Sequence, residues 1–172
     1  KHDIAIHPNN PDIVFICNDG GIFKTGDGGS SYIDLSSGIS ISQFYRLGGY
    51  ALDENILYCG QQDNGVLRKN NANWNMAVFA DGMECAVDYS NSNNVLVATQ
   101  YGQLNLSNDG GITWTDVTPS QTGAWTTPFL YHPTDPSFVF AGYDELYKSN
   151  VGGWSWISIG NPTNNAAIDI LA

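Results

Sequence analysis

The chain has 172 residues, 42% of them hydrophobic, which suffices for one ordinary domain with a core and excludes a disordered tail. A net charge of −11, from 6 basic against 17 acidic residues, excludes the electrostatic footprint of a nucleic-acid or anionic-membrane binder. With 19 glycines and only 13% charged residues, the polarity comes from Asn, Ser and Thr in turns, the composition expected of a secreted β protein.

In chain order, an apolar run Ile4-Ala5-Ile6 ends in the turn His7-Pro8-Asn9-Asn10 and is followed by a strand Ile13-Val14-Phe15-Ile16. A Gly-bearing turn, Asp19-Gly20-Gly21, leads to a third strand, Ile22-Phe23-Lys24, and the segment Thr25-Gly26-Asp27-Gly28-Gly29-Ser30-Ser31-Tyr32 then turns the chain toward a fourth. The same order returns with Ile56-Leu57-Tyr58-Cys59 and the turn Asp63-Asn64-Gly65. It returns again with Ala86-Val87 before Asp88-Tyr89-Ser90-Asn91, the strand Val95-Leu96-Val97-Ala98, the turn Tyr101-Gly102 and the strand Gln103-Leu104-Asn105-Leu106. There the fourth strand, Thr113 to Val117, follows Ser107-Asn108-Asp109-Gly110-Gly111-Ile112-Thr113-Trp114. The last copy runs through Phe129-Leu130-Tyr131, His132-Pro133-Thr134-Asp135, Phe138-Val139-Phe140-Ala141, Tyr143-Asp144, and Ser149-Asn150-Val151-Gly152-Gly153-Trp154-Ser155-Trp156. No window of ten residues carries a helical apolar stripe.

The second-strand starts, Ile13, Ile56, Val95 and Phe138, are spaced by 43, 39 and 43 residues. The aromatics Tyr32, Trp74, Trp114 and Trp156 step by 42, 40 and 42, so Trp74 marks a unit that lacks the glycine-rich signature. Four short antiparallel strands per roughly forty residues describe a propeller blade. The expected organisation is a single partial β-propeller with blades at about 1–38, 39–80, 81–120 and 121–162, and residues 163–172 as the first strand of a next blade. A chain cut in this way is expected to be a segment of a larger propeller, whose remaining blades would be its first partners.

The segments at Thr25, Ser107 and Ser149 resemble the Asp-box, or BNR repeat, of sialidases, sortilin-type receptors and xyloglucan-cleaving glycoside hydrolases. Two copies are full and the third is degenerate. The resemblance implies a hairpin between third and fourth strands in which the carboxylate accepts hydrogen bonds, the glycines take positive φ, and the closing aromatic packs between blades. It assigns architecture, not chemistry, to Thr25, Asp27, Gly29, Ser31 and Tyr32, to Ser107, Asp109, Gly111, Thr113 and Trp114, and to Ser149, Gly153, Ser155 and Trp156. Val151 stands where the third carboxylate would be. Gly60-Gln61-Gln62-Asp63-Asn64-Gly65 and Ala80-Asp81-Gly82-Met83-Glu84 further resemble bacterial secreted or surface proteins of sortilin-like and glycosyl-hydrolase-like type. The family's sialidases hold their substrate with three arginines, and this chain offers only Arg46 and Arg68 after its lysines.

Given the strand order, loops joining second to third strands share a face with loops joining one blade to the next. That face is expected to collect Asp19, Gln61, Gln62, Asp63, Asn64, Gln100, Tyr101, Tyr143, Asp144 and Glu145 from the first set, and Gln43, Tyr45, Asp81, Glu84 and Trp125 from the second. Carboxylates, amides and aromatic planes suit carbohydrate, through stacking on sugar faces and paired bonds to hydroxyls. The ligand-binding candidates are Gln61, Gln62, Asp63, Asn64, Asp81, Glu84, Tyr101, Trp125, Tyr143 and Asp144. Asp63 and Asp81 are also candidates for a glycosidase acid and base, which stand about 5–9.5 Å apart. The plainer reading is that each is a turn former with its following glycine or Asn-Gly. Clustered loop oxygens leave calcium open, though no EF-hand spacing is present.

Cys17, Cys59 and Cys85 form neither a CxxC nor an even set, so buried free thiols are expected and no zinc site. His7 and His132 precede prolines in equivalent turns, which favours a repeated structural role over a metal. No run of eighteen apolar residues occurs and Lys1-His2-Asp3 does not open a signal peptide, so direct membrane insertion is not expected and any export signal lies outside this chain. The functional expectation is a non-catalytic binding or adhesion propeller of an extracellular or cell-surface protein, engaging protein or glycan on the loop face. The alternatives are a fragment of a glycoside hydrolase and a structural scaffold in a surface assembly.

Overall fold

A computed structural model describes residues 3–39, 42–161 and 168. The described residues form sixteen strands in four antiparallel four-stranded sheets, each a simple meander in chain order, and no α-helix. No helix among them is long and apolar enough to cross a membrane. The chain divides into two compact units, Lys1–Ser42 and Gln43–Ala172.

The first unit holds β1 (Asp3–Ile6), β2 (Val14–Asn18), β3 (Gly21–Thr25) and β4 (Ile33–Asp34). Cross-strand pairs such as Ile4 with Ile16 and Phe15 with Lys24 fix the register, and the Lys24 ammonium lies 5.7 Å from the Phe15 ring centroid. In the β1–β2 turn His7 Nδ1 accepts the Asn9 N–H at 3.2 Å. His132 Nδ1 accepts the Thr134 N–H at 3.3 Å in the equivalent turn of the second unit, so both imidazoles act as turn acceptors.

The second unit holds three sheets. The first is β5 (Phe44–Tyr50), β6 (Asp53–Gln61), β7 (Gly65–Asn70) and β8 (Asn73–Val78). The second is β9 (Gly82–Val87), β10 (Val95–Thr99), β11 (Gln103–Ser107) and β12 (Thr115–Asp116). The third is β13 (Phe129–Tyr131), β14 (Val139–Gly142), β15 (Leu146–Ser149) and β16 (Ile157–Ser158).

The uninterrupted apolar sequence of β10 has a direct cause: that strand is covered on both faces. Val95 and Val97 pack with Tyr58, Val66, Cys85 and Val87 toward the preceding sheet. Leu96 and Ala98 pack with Leu104, Leu106, Val139 and Ala141 toward the following one. Fully burying one such Val or Leu side chain contributes roughly 1.5–3 kcal/mol, so these two layers are the main adhesive of the unit. The approach of β9 to its neighbour is closer than side chains permit. A Cβ on Gly60 would lie 2.0 Å from the Met83 carbonyl oxygen, and one on Gly82 would lie 2.2 Å from that of Gly65.

The unit without the glycine-rich signature closes differently at Trp74. The connection from β7 to β8 is a two-residue turn with Asn71 at φ 54°, not a glycine-rich loop, and β8 runs for six residues where the other fourth strands have two. Trp74 pairs with Lys69 on that outer strand and is 46% exposed, so it does not enter the layer between sheets. By contrast Trp114 meets Tyr58 edge-on at 6.3 Å, and Trp156 Nε1 donates to the Val117 carbonyl at 2.7 Å. The strand expected over 163–172 lies outside the described residues except for Ile168, which is buried and donates its N–H to the Tyr143 carbonyl.

Candidate functional site

In the second unit the β6–β7, β8–β9, β10–β11, β12–β13 and β14–β15 connections lie along one face and are bonded to one another. Gln62 N–H donates to Gln43, Gln100 N–H to Asp81, Tyr101 N–H to Trp125 and Gly123 N–H to Tyr101, all through carbonyl oxygens. Three residues on this face take left-handed φ without being glycine: Asp63 at 57°, Ala80 at 104° and Tyr101 at 60°. Such conformations are unfavourable for L residues and persist where neighbouring contacts hold them.

The contacts holding Asp63 centre on one carboxylate. Asp81 Oδ1 accepts the Asp63 backbone N–H at 2.6 Å and Gln62 Nε2 at 3.1 Å. The Asp81 N–H in turn donates to Gln100 Oε1 at 2.9 Å. Gln62 has a fixed orientation, because its Oε1 accepts the Tyr45 hydroxyl while its Nε2 also lies 3.4 Å from Asp63 Oδ1. The Tyr45 oxygen accepts Trp125 Nε1 at 3.0 Å. A single directed chain therefore runs from the Trp125 indole, on the β12–β13 connection, through Tyr45 and Gln62 of the first sheet to Asp81 on the β8–β9 connection. Asn64 adds a bond from Nδ2 to the Gln62 carbonyl at 2.9 Å.

Beside this chain the Tyr101 and Trp125 rings meet edge to face, with centroids 5.1 Å apart. They remain 54% and 38% exposed, so a corner of two aromatic planes faces solvent above a floor of amides. Below Tyr45, Arg46 Nε lies 3.2 Å from Glu84 Oε2 and its Nη1 donates to the Tyr45 carbonyl. Burial raises the Glu84 carboxyl above its ordinary value, and the Arg46 charge opposes that rise.

Not every expected contact residue reaches this surface. Gln61 is only 2% exposed, with Nε2 directed at the Cys59 sulfur, because β6 continues through it into the core. Tyr143 is fully buried; its hydroxyl donates to the Gly102 carbonyl and its ring packs edge-on against Tyr147. Both leave the contact set. Asp144 is half-buried in the β14–β15 turn, and Asp19 belongs to the first unit. The role not assigned in advance is that of Tyr45 and Gln100 as polar links. The available signal is a hydroxyl at the start of β5 and a long amide directly after β10.

The glycine-rich loops lie at the opposite ends of their strands. Thr25 and Ser107 hydroxyls each donate to the following carboxylate, of Asp27 and Asp109, at 2.7 Å, and each accepts a glycine N–H, from Gly29 and Gly111. The carboxylates further accept the backbone N–H and the hydroxyl of Ser31 and Thr113. These bonds, led by the hydroxyl of Ser31 or Thr113, hold both carboxyls far below their ordinary value. The third loop keeps the serine half alone: Ser149 Oγ accepts the N–H of Val151 and of Gly153. The oxygens of Asp27 and Asp109 are thus engaged by their own loops. Among the described residues no group of three or more His, Cys, Asp or Glu side chains gathers as a metal site.

No family model matches the chain, and no curated protein matches it. Solved structures do. An ancestral GH74 enzyme superposes with a TM-score of 0.61 at 19% identity, over 94% of this chain and 24% of that one. A GH74 enzyme of Niastella koreensis gives 0.54 at 21%, over 91% and 24%. The GH74 xyloglucanase of Xanthomonas campestris gives 0.56 at 16%, over 91% and 30%. The chain therefore spans about a quarter of the length of the first two. At such identities the likeness establishes the fold, an all-β propeller segment built of four-stranded antiparallel blades.

Proposed function

We propose that the chain is a non-catalytic binding propeller that engages a glycan on the face carrying Trp125, Tyr101, Tyr45, Gln62, Asp63 and Asn64. The observation that carries this reading is the commitment of Asp81. Its Oδ1 already fastens the Asp63 N–H and the Gln62 amide, so it works as a clasp, while the exposed Tyr101–Trp125 corner is left to a ligand. Aromatic planes beside oriented amides suit the apolar face and the hydroxyls of a sugar. In this reading the Thr25, Ser107 and Ser149 loops are Asp-box hairpins, with blades near 1–38, 39–80, 81–120 and 121–162 of a larger propeller. The half-exposed Trp154, Ile157 and Ile159 on the last sheet support further blades as partners. A secreted or cell-surface location follows from the same resemblance. Titration with a panel of soluble plant and bacterial polysaccharides should give saturable binding without turnover, lost at least about tenfold in Trp125→Ala. A panel with no binding, or binding indifferent to that change, would overturn the reading.

A glycoside hydrolase is the second reading. It is supported by one geometric fact: the carboxylates of Asp63 and Asp81 both lie within reach of the single Gln62 Nε2, which brings two acids side by side. The structures similar to this chain include a xyloglucanase, which makes xyloglucan the first substrate to try. Release of reducing ends that disappears in Asp63→Asn with binding retained would establish hydrolysis; intact polymer after prolonged incubation would exclude it.

A further inference from the structure

The sheet of β5–β8 departs from the repeat at one place, and that departure opens a cleft. Counted from the paired turns Gln61–Gly65 and Thr99–Gln103, Lys69 occupies the position of Ser107 and Arg68 that of Leu106. The seven-residue loop that follows Ser107 in the next sheet is replaced here by the short turn between Asn70 and Asn73. The result is a cleft of about 360 Å3 between β6–β7 on one side and the β9–β10 and β11–β12 connections on the other. It lies at the strand ends opposite the Gln62–Asp81 face and owes nothing to the function proposed for that face.

The cleft concentrates scarce positive charge. Of the 6 basic residues in a chain of net charge −11, Arg68 and Lys69 stand side by side on its wall. Arg46 is paired with Glu84, and Lys24 and Lys148 lie over phenylalanine rings. Lys69 Nζ is held by the Glu54 carbonyl at 3.0 Å. Arg68 sits beside the buried Tyr58 phenol, which crosses to the facing loop by donating to the Gly110 carbonyl at 2.7 Å. Around these cations are the carboxamides of Asn55, Asn70 and Asn93, and Ile112, 71% exposed, forms an apolar lip.

We infer that this cleft binds the carboxylate and hydroxyls of an acidic sugar, a uronic-acid unit of a glycan. A guanidinium fork matches a planar carboxylate, the amides match vicinal hydroxyls, and Ile112 matches the C–H face of a pyranose. The volume sits at the lower end of the roughly 300–1000 Å3 of small-molecule sites. Two carboxylates on the rim decide against a more highly charged anion. Asp53 is bound to its own turn at Asn55, and Asp109 to Ser107 and Thr113, and carboxylates so placed repel a dianion more than a monoanion.

The test is calorimetric titration of the 172-residue chain with trigalacturonate, its methyl ester and a sulfated trisaccharide of matching length. Saturable binding of trigalacturonate is expected, weakened about 10- to 100-fold by esterification and by Arg68→Met, and weakened by salt. Equal binding of the ester, or an unchanged affinity in a folded Arg68→Met, overturns the assignment. So do a sulfated trisaccharide that binds as tightly, which would mark a general anion cleft, and the absence of binding. If Arg68→Met does not fold, the ester comparison on the parent chain decides alone.

Discussion

The backbone N–H of Asp63 donates to Asp81 Oδ1 at 2.6 Å, so the turn after β6 is fastened to the loop that leads into β9. The bond holds Asp63 in its left-handed conformation and leaves its side chain outward. Replacing Asp81 by Ala removes the acceptor of two donors and should cost about 1–3 kcal/mol. For a chain of this length each kcal/mol lowers Tm by about 2–4 °C. Asp81→Asn keeps an acceptor oxygen in place and should cost less. A melting curve for Asp81→Ala that overlays the parent would remove the clasp from the account.

The chain from Trp125 through Tyr45 to Gln62 predicts a separation of binding from stability. Tyr45→Phe deletes the hydroxyl that accepts Trp125 Nε1 and donates to Gln62 Oε1. Trp125 is exposed enough to find water, so the stability loss should stay near 1 kcal/mol. The indole and the Gln62 amide lose their fixed orientation, and glycan affinity at this face should fall several-fold more than that value accounts for. Denaturant unfolding and titration on the same variant check both halves.

What the sequence could show follows the range of the interactions involved. The loops at Asp27 and Asp109 were legible because every donor lies within four residues of the carboxylate, and the two-sided burial of β10 was legible in Val95-Leu96-Val97-Ala98. Gln61 and Tyr143 read as surface residues in the sequence because the turns beside them are at the surface. Whether a side chain at a turn points out or into the core depends on the neighbouring sheet: Gly102 takes the Tyr143 hydroxyl from 41 positions away. The 42-residue step to Trp74 is legible as a repeat and silent on the environment of the ring, since spacing counts residues and does not report the two-residue turn that precedes it. The Arg68–Lys69 pair was not legible as a site at all, because the cleft exists only where a missing loop meets a present one.

The close approach of β9 to β6 and β7 makes Gly60 and Gly82 sensitive to a single methyl group. A Cβ at 2.0 Å or 2.2 Å from a carbonyl oxygen demands movement of backbone, not of a flexible side chain. Gly60→Ala and Gly82→Ala should each destabilise by about 3 kcal/mol or more, near the upper end for overpacking. Gly26→Ala is the control, since nothing lies within 4 Å of its Cβ. Comparable chemical-denaturation midpoints for all three variants would show that the sheets can separate at no cost.

Val151 offers an internal test of the glycine-rich loops. Its neighbours Ser149, Gly152, Gly153 and Ser155 retain the pattern in which Asp109 accepts the Ser107 hydroxyl, the Thr113 N–H and the Thr113 hydroxyl. Val151 is 51% exposed, so little apolar burial is lost by replacing it. Val151→Asp should restore the missing bonds and stabilise by about 1 kcal/mol at neutral pH, a rise in Tm of about 2–4 °C. The pH dependence has a definite sign. The same bonds depress the folded carboxyls of Asp27 and Asp109 below their ordinary value of 3.8, so a new carboxyl in this loop should be depressed likewise. Its contribution is then full above the unfolded value, about 3.9, and is lost as pH falls below it toward the folded value. Melting the parent and Val151→Asp at pH 7 and at pH 2 should give curves that are separated at the first and converge toward the second. A gain that persists undiminished into strong acid would mean that the substitution acts through the backbone and not through the carboxylate.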